Sequence, residues 1–211
     1  MNLFFYMHMN DQYRTIQKPA AGIYKEKGSR FMAFAYPVST EDEVKTILSD
    51  LRKEYHDARH VCYAYQLRAD AGIFRSNDDG EPSGTAGKPI LNQIQAHSLT
   101  YTLVAVVRYF GGTLLGTSGL LNAYRSAASD ALANASVVVR TVDNHYRLEF
   151  PYESMNEVMK IIKDHSLSQS GQVFDIISKV DIAVRQSRAA EIVGKLGTIA
   201  HLKIELLNAF D

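Results

Sequence analysis

The chain has no tryptophan, one cysteine, five prolines and no excess of either charge, with 23 Lys and Arg against 23 Asp and Glu in 211 residues. A single cysteine excludes an internal disulfide and any multi-cysteine zinc site. Cys62 lies in the apolar run Val61-Cys62-Tyr63-Ala64-Tyr65, which points to an inert buried thiol rather than a nucleophile. A net charge of zero provides no global field for nucleic acid or an anionic membrane, so any such binding needs a local basic patch. No apolar stretch approaches the roughly 20 residues that span a bilayer. Met1 to Met7 is apolar but lacks the basic flank and small-residue cleavage site of a signal peptide. A cytoplasmic protein without a membrane partner is expected, and Met7-His8-Met9 offers an alternative start.

What is present is ordinary globular composition, 46% hydrophobic and 22% charged, enough to build a core without disulfides or metals. Residues up to about Pro19 show no period. A short edge strand is expected around Gly22 to Tyr24, then an aromatic strand from Arg30 to Val38. Ser39-Thr40-Glu41-Asp42-Glu43 supplies an N-cap, a capping-box acid and first-turn negative charge. Val44, Ile47, Leu48 and Leu51 follow at helical spacing, which predicts a helix from about Glu41 to Tyr55. Strands are expected at Val61–Leu67 and Tyr101–Phe110, the second apolar enough to be central. Helices are expected from Pro89 to about His97 and from Leu120 to about Asn134. Val137-Val138-Val139 reads as a strand and Asp143-Asn144 as a break.

From His145 a smaller pattern begins: a strand to Tyr152, an amphipathic helix from Glu153 to His165, and a hairpin within Val173–Val184. A short helix at Ala189–Leu196 and a strand at His201–Leu207 complete it. That β-α-β-β-α-β order is ferredoxin-like. The fold class is therefore α+β with two domains, residues 1–140 and 144–211.

The segment with the most chemistry is Asn77 to Pro89, N-D-D-G-E-P-S-G-T-A-G-K-P, whose carboxylates, hydroxyls and glycines fill no core. Loops that combine unusual backbone with convergent polar groups are where sites are built. Asp78, Asp79 and Glu81 could cap the following helix and pair with Arg59, Arg75, Lys88 or Arg108. They could also bind Mg²⁺, or act as acid and base. A second loop, Gly111 to Gly119, joins a strand to a helix N-terminus; it either permits tight packing or offers amides to an anion. It is neither a Walker A loop nor G-x-G-x-x-G. Ser83 has no identifiable base beside it and no G-x-S-x-G around it. No catalytic residue, cofactor or resident metal is assigned.

Four stretches together resemble the YigZ/IMPACT family. They are Lys27-Gly28-Ser29-Arg30-Phe31, Ala58 to Tyr65, Asp78 to Pro89, and Arg108-Tyr109-Phe110-Gly111-Gly112 with Leu115-Gly116-Thr117. The resemblance spans roughly Gly22 to Ala135. It implies an α+β domain of the kind shared by a ribosomal small-subunit protein and domain four of a translocation factor. The second domain resembles the C-terminal module of bacterial members, itself similar to the last domain of elongation factor G. Eukaryotic relatives act in translational control, competing for an activator of a stress-responsive kinase; for bacterial members the resemblance implies no particular activity. Arg75-Ser76-Asn77, Thr117-Ser118-Gly119 and Tyr124-Arg125-Ser126 depart from the family's usual Arg-Phe-Ser, Thr-Gly-Gly and Tyr-Gly-Gly.

From both lines we expect a non-catalytic regulatory protein linked to translation, contacting RNA, the ribosome or a translation-associated protein without reading DNA sequence. The expected binding residues are Arg59, His60, Asp78, Asp79, Glu81, Ser83, Thr85, Lys88, Arg108, Tyr109, Gly111, Gly112 and Gly116, with the two loops meeting at one end of a sheet. The alternative is an enzyme or binding protein for a nucleotide or phosphorylated small molecule.

Overall fold

A computed structural model describes residues 11–173 and 175–208, so the apolar start and its alternative methionines lie outside the described residues. The chain divides into two compact units, Tyr13–Arg140 and Thr141 onward together with Asp11 and Gln12. Among the described residues, no helix is long and apolar enough to cross a membrane.

The first unit is built on a five-stranded antiparallel sheet. Its strands are β2 (Ala20–Glu26), β3 (Ser29–Pro37), β4 (His60–Leu67), β5 (Ile73–Asn77) and β6 (Thr102–Tyr109), in the order β2-β3-β6-β4-β5. Seven of the eight residues of β6 are buried, as its central place requires. Strand alternation sorts the side chains into two layers. Phe31, Ala33, Ala35, Cys62, Ala64, Val104 and Val106 face α2 (Gly87–Ala96) and α3 (Gly116–Ala133). Val61, Tyr65, Leu103, Ala105 and Val107 face the other way, toward Val44 and Leu51 of α1 (Glu41–Glu54). Thr40 caps α1, its hydroxyl accepting from Glu43 N–H at 3.2 Å, and Glu43 accepts from Ser39 N–H at 2.6 Å.

α3 lies close on β2 because its buried face is alanine: Ala123, Ala127, Ala128 and Ala131. A Cβ on Gly22 would sit 2.3 Å from Ala131 N, so only glycine admits the helix there. Asp130 then accepts the Ile23 N–H at 2.8 Å, and Asn134 donates to the Ala21 carbonyl at 2.9 Å, which ties the helix to that edge of the sheet.

Several boundaries differ from the sequence expectation. α2 starts at Gly87, with Pro89 inside its first turn, where a missing N–H costs nothing. α3 starts at Gly116, so Gly116 to Gly119 form its first turn instead of a loop ahead of it. β1 (Gln12–Ile16) occupies a stretch with no visible period and pairs with β7 (Val137–Thr141).

The second unit runs β8 (Asp143–Pro151), α4 (Met155–Asp164), β9 (Ser168–Val173), β10 (Ile177–Arg185), α5 (Ala189–Leu196), β11 (Lys203–Asn208). Its sheet order β11-β8-β10-β9, antiparallel throughout, is the ferredoxin-like arrangement. Asp143-Asn144 starts a strand instead of breaking one. The hairpin begins earlier than Val173, because β9 is a wholly exposed polar edge that carries no hydrophobic signal. Leu148, Phe150, Val158, Ile162, Val180, Ile182 and Ile192 form the core. On the opposite face the charges pair across strands, Arg147 with Asp181 through two 2.8 Å bonds and Lys179 with Glu149 at 2.6 Å. Asp11 bonds Arg185 at 2.5 and 2.6 Å, and that guanidinium holds its carboxyl down at about 2.

Candidate functional site

Register brings the family stretches to one end of the first unit's sheet. His60 pairs with Arg108, Arg108 with Phe31, and Tyr109 with Arg30. The acidic loop leaves β5 at this end, opposite Tyr63 of β4.

Each carboxylate of the loop has an internal task. Asp78 accepts from the N–H groups of Gly84 (2.8 Å), Ala86 (2.9 Å) and Gly87 (2.8 Å), capping α2, whose own N-cap Ala86 has no side chain for it. Burial pushes the Asp78 carboxyl up, but the three amides outweigh that and leave it below the usual range. Asp79 accepts from Arg52 and from Val61 N–H, each at 2.7 Å, fastening the loop to α1 and β4. Its carboxyl is likewise lowered, burial opposing and Arg52 prevailing. Its carbonyl lies 2.7 Å from His60 Nδ1, and because a carbonyl only accepts, that nitrogen carries the proton.

Glu81 is 8% exposed and takes Arg108 Nη1 at 2.5 Å and the Tyr124 hydroxyl at 2.8 Å, with His60 Nε2 at 4.0 Å. Arg108 lies between the rings of Phe31 (5.4 Å) and Phe110 (5.7 Å), and its buried Nε has no hydrogen-bond partner among the described residues. Tyr124 meets Phe31 edge-on at 5.1 Å. Cys62 lies against the Asp78 carbonyl at 3.0 Å and the Tyr124 hydroxyl at 3.3 Å. Burial pushes both the Cys62 thiol and the Tyr124 phenol well above their usual values, so neither ionises at neutral pH.

Of the expected ion pairs with Arg59, Arg75, Lys88 and Arg108, only the last forms; Arg52, not anticipated, takes Asp79. Thr85 is buried and donates to the Pro82 carbonyl at 2.6 Å. Tyr109 donates to Asp57 at 2.7 Å and stacks under Arg30 at 5.1 Å. Gly111 donates to Ser29 Oγ at 3.1 Å, and its backbone crosses Gly28 so closely that a Cβ would lie 2.0 Å from the Gly28 carbonyl carbon. Arg59, Ser83, Lys88, Gly112 and Gly116 remain exposed, and the first turn of α3 has no side-chain cap. The roots of the two loops therefore meet through Arg108 and Glu81, but the acids turn inward instead of sharing an open hollow with the amides. Among the described residues, no three His, Cys, Asp or Glu are grouped to hold a metal. Tyr124 was missed as a site residue by sequence reasoning; the signal for it is an aromatic ring on the otherwise aliphatic buried face of α3.

The Impact N-terminal domain matches residues 27–132, half of the chain and the part that builds this site. The chain belongs to the IMPACT family. It is 29% identical over 191 residues to the IMPACT family member YigZ of Escherichia coli, covering 90% of this chain and 94% of that protein. It is 42% identical to YvyE of Bacillus subtilis over 112 residues, where the match covers 53% of this chain and 52% of YvyE. A crystal structure of a hypothetical protein, 27% identical, superposes with a TM-score of 0.72 over 95% of this chain and 99% of that one. The IMPACT match thus includes the acidic loop, both glycine turns and the Arg108–Glu81–Tyr124 cluster.

Proposed function

We propose that this IMPACT-family chain is a non-catalytic, cytoplasmic regulatory protein linked to translation, with residues 1–140 and 144–211 as separate domains. It contacts RNA on the ribosome through the loop-bearing end of its first sheet. One observation carries this reading: with Asp78, Asp79 and Glu81 each held by an internal partner, the exposed surface there carries Lys27, Arg30, Arg59 and Lys88 against Asp57, beside an exposed Phe110. Basic side chains that track phosphates next to an aromatic that stacks on bases suit single-stranded RNA. The test is fluorescence anisotropy of a single-stranded RNA across a salt series. Affinity should fall as salt rises, and Arg59→Ala, Arg30→Ala and Lys88→Ala should each lower the salt slope by about one. Binding absent in wild type, or unmoved by salt, overturns the proposal.

The exposed, uncapped first turn of α3 favours a second reading, an anion site for a nucleotide or phosphorylated small molecule. Nucleotide binding that survives the Arg59 and Arg30 changes would favour it over RNA.

A further inference from the structure

In the second unit two cationic side chains close on the two nitrogens of one imidazole. Arg188 Nη2 lies 2.8 Å from His165 Nδ1, and Lys195 Nζ lies 3.3 Å from His165 Nε2. A neutral imidazole has one nitrogen that accepts and one that donates. At the shorter distance Arg188 donates to Nδ1, so Nε2 carries the proton and meets the ammonium donor against donor. No tautomer satisfies both contacts, and the protonated ring satisfies neither. The unit's other two arginines are each matched to a carboxylate by two hydrogen bonds, Arg147 to Asp181 and Arg185 to Asp11. Arg188 has no carboxylate partner among the described residues, and its bond to His165 uses one of its five N–H groups. Glu191, one turn before Lys195 on α5, takes that ammonium at 2.6 Å and balances one of the two fixed charges. Its carboxyl is held below the usual range, by Lys195 first and then by the fields of His165 and Arg188. His165 ends α4 and Arg188 precedes α5; both are half-buried, and Lys195 is exposed, so the cluster opens to solvent.

We propose that His165, Arg188 and Lys195 form a site for a phosphate dianion, either the free ion or the end group of a phosphomonoester. Its oxygens only accept, so they resolve a conflict that no arrangement of these three donors resolves alone. They take the Nε2–H and the ammonium that now face each other, and the free edge of the guanidinium, whose planar fork fits two phosphate oxygens. The charge of the ligand follows from the fixed cations. Arg188 and Lys195 carry two positive charges once Glu191 gives up its hold, which a dianion balances and a phosphodiester monoanion does not. Glu191 is therefore the ligand's competitor for Lys195.

Proton NMR of the full chain tests this, following the His165 ring Cε1–H against pH, the signal assigned by its loss in His165→Gln. Inorganic phosphate, compared with chloride at matched ionic strength, should saturate and should raise the midpoint by roughly one pH unit, because a bound anion favours the imidazolium. Arg188→Gln should weaken phosphate binding about tenfold, the weight of a charge-assisted hydrogen bond. Glu191→Gln should tighten it, since the ammonium loses its competing carboxylate. A purely structural cluster predicts the reverse pattern, lower melting temperatures in both variants with phosphate affinity unmoved, and that result overturns the proposal. Glycerol 2-phosphate binding as phosphate does places a monoester end group in the site, and phosphate binding alone places the free ion there; both meet the proposal. Dimethyl phosphate, a diester monoanion, should bind at least tenfold more weakly than phosphate. Equal binding of the diester, or a midpoint that phosphate moves no further than chloride does, overturns it.

Discussion

Glu81 and Arg108 are 27 residues apart in sequence and 2.5 Å apart in the fold, both more than nine-tenths withdrawn from water. A buried pair of this kind contributes little over an apolar replacement, but losing one partner strands the other's charge.

Glu81→Ala is therefore expected to cost about 3–5 kcal/mol in urea unfolding, because it leaves Arg108 buried and unpaired. Glu81→Ala combined with Arg108→Met should cost less than the sum of the two single changes. A single-variant loss under about 1 kcal/mol would show that the pair is not buried as described.

Gly22→Ala should destabilise by about 1–3 kcal/mol, since its methyl would meet the α3 backbone and no side chain can move aside. Gly112→Ala is the control. Its φ of +86° is strained for alanine but the space around it is open, so it should cost about 1–2 kcal/mol without disturbing helix packing. Equal helical signal loss in both variants would contradict this.

Acid stability should depend on Asp11. Its carboxyl is held at about 2 against an ordinary 3.8, so the Arg185 bond stabilises the fold above the ordinary value. That stabilisation is lost as pH falls through about 4 toward about 2. Asp78 and Asp79, also lowered, act in the same direction. Melting temperature measured from pH 5 downward should fall less steeply in Asp11→Asn, which has no such proton to take up; parallel curves would exclude the effect.

Cys62 should resist thiol reagents in the native state at pH 8 and react fully in denaturant, because it is wholly buried with its thiol pushed up. Rapid native labelling would contradict the packing around Tyr124.

Elements whose burial repeats along the chain are legible in the sequence. α1 announces itself through Ser39 to Glu43 and the stripe from Val44 to Leu51, and the second unit through its alternation of strand and helix periods. β1 and β9 are not legible. β1 buries only its last two residues, and β9 buries none, so neither leaves a period to find. At the site, residue types are visible but directions are not. Nothing near Glu81 shows that it points inward; that is decided by Arg108 and Tyr124, 27 and 43 residues later. Asp79 likewise depends on Arg52, 27 residues earlier, on the surface of α1.

Because Asp78 grips the amides of Gly84, Ala86 and Gly87, this stretch is stapled to its own beginning and forms a ring of fixed perimeter. Inserting or deleting one residue before Ala86 would either unhook the carboxylate or turn the start of α2 by about 100°. Ile90 and Ile94 would then swing off the sheet they now cover. The length of the acidic loop is thus held as tightly as its composition.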